Sequence, residues 1–83
     1  MSDRDRRQVM LQRGPPYPNV AAAKRAYRAG QTTEQVYDDT IWVLKTRRNE
    51  RIRAEKLNYK QGTITRDQYQ ARIDRIDQEY EGQ

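Results

Sequence analysis

The sequence has no cysteine, no histidine and no phenylalanine. Without cysteine and histidine there can be no disulfide framework, no thiolate nucleophile and no zinc site of the Cys/His type. Leucine, isoleucine and valine number only twelve in 83 residues, beside 35% charged residues. A chain so poor in aliphatics cannot bury a large core, and composition alone reads as disorder. No stretch approaches the ~18 consecutive apolar residues of a membrane span. The basic N-terminus lacks the apolar segment of a signal peptide, so a soluble chain is expected, cytoplasmic or held within a larger assembly. No Gly-rich phosphate loop is present, and Asp38/Asp39 and Asp74/Asp77 read as solvated acids on helix surfaces. The sequence therefore predicts no enzyme, no cofactor, no metal and no small-molecule substrate.

Against that poverty stands a duplication. Tyr27, Gly30, Thr33, Tyr37 and Ile41 recur as Tyr59, Gly62, Thr65, Tyr69 and Ile73, each 32 residues later. Ala22/Ala54, Lys24/Lys56 and Leu44/Ile76 extend the match. Random polar sequence does not repeat its caps and apolar positions in register, and periods of this length commonly mark helical hairpins.

Read in order, residues 1–19 form an extended basic arm. Ser2, Asp3 and Asp5 suit the start of a short helix reaching Leu11, and Gly14-Pro15-Pro16-Tyr17-Pro18 forbids its continuation. Asn19 caps a helix running to Ala29, with Gly30 in the left-handed position beyond it. Thr32 or Thr33 opens a second helix to about Gln61, Thr32 with Gln35 spelling a capping box. Tyr37, Ile41 and Leu44 form its apolar stripe, which Trp42 and Val43 do not join. Thr65 with Gln68 caps a third helix, Ile64 is placed to staple onto Tyr69, and Tyr69, Ile73, Ile76 and Tyr80 make its stripe. The late acids Asp77, Glu79 and Glu81 oppose that helix's dipole, and so are expected to answer a basic surface. The fold expected is all-α: a basic arm (1–19) and a repeat domain (20–83). In that domain three helices make two overlapping helix–turn–helix hairpins, about 22–44 and 54–76.

The run Tyr59-x-x-Gly62-x-Ile64-Thr65-x-x-Gln68-Tyr69 resembles the short C-terminal domain (SHOCT) family. The likeness covers about residues 54–80, and 22–44 more loosely. Gln68 stands where the family usually has glutamate, and the family's leucine-rich first helix is basic here. The resemblance implies a small helical interaction or oligomerisation module without catalysis.

Two surfaces are candidates. Val9, Met10, Leu11, Tyr17, Trp42 and Val43 are the apolar contacts of an adaptor or assembly protein that docks on a protein partner or on itself; a structural component of a phage-like particle fits this reading. Trp42 packs beneath the 20–29 helix or anchors such an interface. The five tyrosines at repeat or stripe positions read mostly as core. The alternative is nucleic-acid binding through Arg4, Arg6 and Arg7 of the arm with Lys45, Arg48, Arg51 and Lys56 of the second helix. The charge allows it: residues 45–60 hold seven bases and two acids in a chain of net charge +5. The bases of that helix spread around its circumference, with Glu50 and Glu55 interleaved.

Overall fold

The computed structural model describes residues 2–82. They are all-α, with no strand among the described residues, and fold into four helices: α1 (Asp3–Arg13), α2 (Val20–Arg28), α3 (Glu34–Lys60) and α4 (Arg66–Glu81). The expected count of three is thus corrected to four, because most of the supposed arm is a helix seated on α3. Ser2 accepts a hydrogen bond from the Asp5 amide at 3.2 Å, with Asp3 and Asp5 in the positive first turn. Its three apolar residues would not hold α1 in place alone. Ion pairs do: the Arg6 and Arg7 Nε atoms lie 3.2 and 2.9 Å from the two carboxylate oxygens of Asp39, a buried side chain of α3.

The two turns are copies of one another. At the end of α2 the Gly30 amide donates to the Tyr27 carbonyl (3.1 Å) and the Gln31 amide to Ala26 (2.9 Å). After α3 the Gly62 amide donates to Tyr59 (3.1 Å) and the Thr63 amide to Asn58 (3.0 Å). These paired bonds define the Schellman motif, which turns the chain through a left-handed residue. Gly30 and Gly62 supply it, at φ 71° and 74°. Across each turn two tyrosines stack, Tyr27 on Tyr37 and Tyr59 on Tyr69, with centroids 4.9 and 5.0 Å apart. Tyr27 and Tyr59 remain 42% and 41% exposed, so they clasp the turns from outside and are not core residues.

α2, α3 and α4 each start on a capping side chain, and Thr33 and Thr65 keep the offset of 32. Asn19 accepts from the Ala22 amide and Thr33 from the Val36 amide. Thr65 and Gln68 complete a reciprocal capping box. The Thr32–Gln35 box does not form: Thr33 is the cap, which puts apolar Val36 at the third helical position, where no side chain can return the bond.

Among the described residues the buried apolar ones are Ala23, Ala26, Val43, Leu44, Ile64 and Ile76. The two alanines let α2 approach α3 closely. Thr40, fully buried, satisfies its hydroxyl on the Val36 carbonyl at 2.6 Å. α3 is the spine, contacted by each of the other helices. α2 and α4 run antiparallel to it and meet end to end, so close that a Cβ on Gly82 would lie 2.2 Å from Asn19 Cγ. The result is a slab of 45 × 28 × 14 Å, its long axis close to the ~40 Å expected of a 27-residue helix.

Candidate functional site

Of the six apolar contacts expected at an interface, only Val43 is buried, and the other five are half-buried. Val43 has no exposed surface, so it offers a partner nothing; it is covered because a second side of α3 is buried as well as the tyrosine stripe. Val9, Met10 and Leu11 are half-buried on α1. The Met10 sulfur lies 3.8 Å from the Thr40 hydroxyl, and the Leu11 carbonyl accepts from Arg47 at 2.7 Å. Trp42 is half-buried with the Arg7 guanidinium 5.6 Å over its ring. A residue of α1 thus covers the ring, which neither of the two expected placements included. Tyr17 is half-buried in a linker whose Pro15, Pro16 and Pro18 line an open cavity of about 570 Å³ with Leu44, Ile76 and Tyr80. The prolines lie against α3 and α4 and do not extend away as a free arm.

Sequence reasoning had no signal for Asp39 as the anchor of α1. The Asp39 side chain is 5% exposed, and in the sequence it is simply the second of two adjacent aspartates. Arg6 also pairs with Asp3, and with the Gln35 amide oxygen turned toward it, that oxygen lies 2.7 Å from Arg6 Nη2. The Arg6 pKa is raised above its ordinary value, first by the hydrogen bond to Asp3, then by that to Asp39.

The basic run of α3 divides in two. Arg47 is committed to the end of α1. Arg48 lies 4.6 Å over the Tyr80 ring, with its Nε buried and without a hydrogen-bond partner. Arg51 bonds Glu79 at 2.6 Å, and Glu55 is drawn to Arg72 at 3.1 Å. Thus Glu79, a late acid of α4, answers the middle of α3. Of the nucleic-acid candidates, Arg6, Arg7, Arg48 and Arg51 all have partners within the chain, whereas Arg4, Lys45 and Lys56 are exposed and Arg53 and Lys60 join them.

Glu79 is held below the ordinary carboxylate value of 4.5, first by the hydrogen bond from Arg51 and then by its charge. A folded-state pKa below the unfolded one means stability that is complete above 4.5 and fades as pH falls through the folded value. Wild type is therefore expected to lose melting temperature more steeply than Glu79→Gln as acid is added below that value. The difference will be small, since both partners are half exposed. Parallel acid melts followed by circular dichroism check it; identical slopes would dissolve the pair.

No three His, Cys, Asp or Glu residues among those described are grouped to hold a metal ion. No described helix is long and apolar enough to cross a membrane. No family model, curated protein or solved structure matches the chain.

Proposed function

We propose that this chain is a small non-enzymatic helical assembly protein, an adaptor that docks on a protein partner or on a second copy of itself. The observation that carries the reading is a row of α3 covered for only half its length. Asp39, Thr40 and Arg47 hold α1 over the first half. The same row continues at helical spacing as Glu50, Ala54 and Leu57, with nothing laid over it. Leu57 is 54% exposed, and with Ala54 it lines a shallow, largely apolar groove. A helix from a partner would extend the track that α1 begins.

Residues 22–44 and 54–76 are read as two helical hairpins that share α3, and the SHOCT resemblance supports an interaction module of that kind. The thin slab and six buried apolar residues leave the chain little stability of its own. Association adds stability by mass action, so the melting temperature is expected to rise with protein concentration. Light scattering behind gel filtration should show a species larger than the monomer. Leu57→Ser should remove both effects while preserving helicity. A chain that melts at one temperature at every concentration, and is monomeric with or without the substitution, would end the self-association form of the proposal. Loss of a protein partner from nuclease-treated lysate capture would end the other.

A further inference from the structure

Once the internally committed residues are set aside, the remaining bases of α3 no longer surround the helix. Lys45, Arg53, Lys56 and Lys60 are exposed, and with exposed Asn49 they recur at i, i+4, i+8, i+11 and i+15. That spacing places them on one face. Asn49, Arg53 and Lys56 share one shallow groove, and Arg53, Lys56 and Lys60 another. Glu55, which the sequence interleaves, is removed to Arg72. Glu50 stands at the border of the face, beside Ala54 and Leu57. The row is a rod of ~22 Å, the length of duplex axis over which each winding strand carries about six charges.

From this geometry we infer that the outward face of α3 binds the phosphate backbone of a nucleic acid, without reading its sequence. Two features favour that ligand. The cations are strung along a straight line, as a polyanion of regular spacing requires, and no acid lies within the row. Beside the row Leu57 is the one large exposed aliphatic side chain among the described residues, too little to anchor the helix in a membrane, and Ile52 is half-buried. Arginine and lysine at such positions act as sequence-tolerant contacts, and Asn49 adds a neutral donor. This inference takes a different ligand and other residues from the assembly reading, but Arg53, Lys56 and Lys60 line the same groove as Ala54 and Leu57.

The test is binding of the full chain to a fluorescent duplex of about 20 base pairs and arbitrary sequence, measured from about 50 to 200 mM salt. Four phosphate contacts predict a log–log salt slope near −3.6, so affinity should fall roughly a hundredfold across that range. Two variants carry the decision. One joins Lys45→Gln, Arg53→Gln, Lys56→Gln and Lys60→Gln; the other joins Lys24→Gln, Arg25→Gln, Arg28→Gln and Arg66→Gln, also exposed. Both remove four positive charges, so they separate a site from net charge. The first should weaken binding at low salt more than tenfold and flatten the slope, while the second should stay within about threefold of wild type. Lys56→Gln with Lys60→Gln alone should give about half the slope change, and circular dichroism confirms that each variant is helical. No binding by wild type at low salt, or equal losses in the two variants, overturns the inference. So does displacement of the duplex by polyglutamate as effective as by unlabelled duplex of equal charge, which would make the face a receptor for acidic protein.

Discussion

Ile76→Ala is expected to lower the unfolding free energy by about 3 kcal/mol, the cost of deleting a buried aliphatic side chain that its surroundings cannot refill. Ile76 is 4% exposed and forms the wall of α4 that meets Leu44 and Arg48 of α3. A domain of this size holds on the order of 4 kcal/mol at the low end of ordinary stability, so one substitution removes most of the reserve. Ile73, one turn earlier in the same stripe, is only half-buried and should cost about 1 kcal/mol when truncated. Urea titrations followed by circular dichroism compare the two. Equal losses would mean that Ile76 does not seat α4.

The second large effect concerns the joint between α1 and α3. Asp39→Asn should cost about 2 kcal/mol, because two charge-assisted hydrogen bonds weaken together. Loss of a fully buried pair would cost more. Here the Arg6 and Arg7 side chains are 26% and 30% exposed, so both guanidinium groups can turn to water. Exposed Asp38 supplies the control: Asp38→Asn should change stability by less than about 0.5 kcal/mol. Trp42, the sole tryptophan, reports on the joint because Arg7 covers its ring. In Asp39→Asn its emission should move to the red at lower urea than the loss of helix, as α1 lifts before the rest unfolds. Coincident transitions would show that α1 is not a separately detachable element.

These two sites also mark how far the sequence could be read. Ile76 was legible, since it lies in an uninterrupted i, i+4, i+7 stripe and repeats Leu44. The glycine turns and the Asn19 and Thr65 caps were legible too, because capping chemistry is local. The same offset of 32 pairs Thr33 with Thr65, which would have decided against Thr32 as the cap. Val43 was not legible. Stripe analysis seeks one buried face, and α3 buries two, the second only because α1 covers it. That cover was invisible in turn, because α1 is held by Asp39 from 32 and 33 residues away and by few apolar residues of its own. The candidate surfaces changed for the same reason: with α1 docked, Val43 has no surface left and Val9, Met10, Leu11 and Trp42 keep only part of theirs. The basic run then sorts into arginines that serve the fold and an outward row that does not.

The abutment of Gly82 on Asn19 bears on the acids that looked misplaced at the end of α4. At this contact the negative end of α4 meets the positive end of α2. Glu81 lines an open pocket together with Val20 and Ala21, in the first turn of α2, and with the bases Lys24, Arg25 and Arg28. A carboxylate at the start of a helix is stabilised by typically 0.3–1 kcal/mol, roughly as much as it would lose at a free C-terminus. Judged within its own helix, the charge is in the wrong place; judged across the junction, it faces the end of α2 that carries positive charge and the bases Lys24, Arg25 and Arg28, some sixty residues earlier in the chain. Electrostatically, the two short helices are one interrupted helix laid along α3.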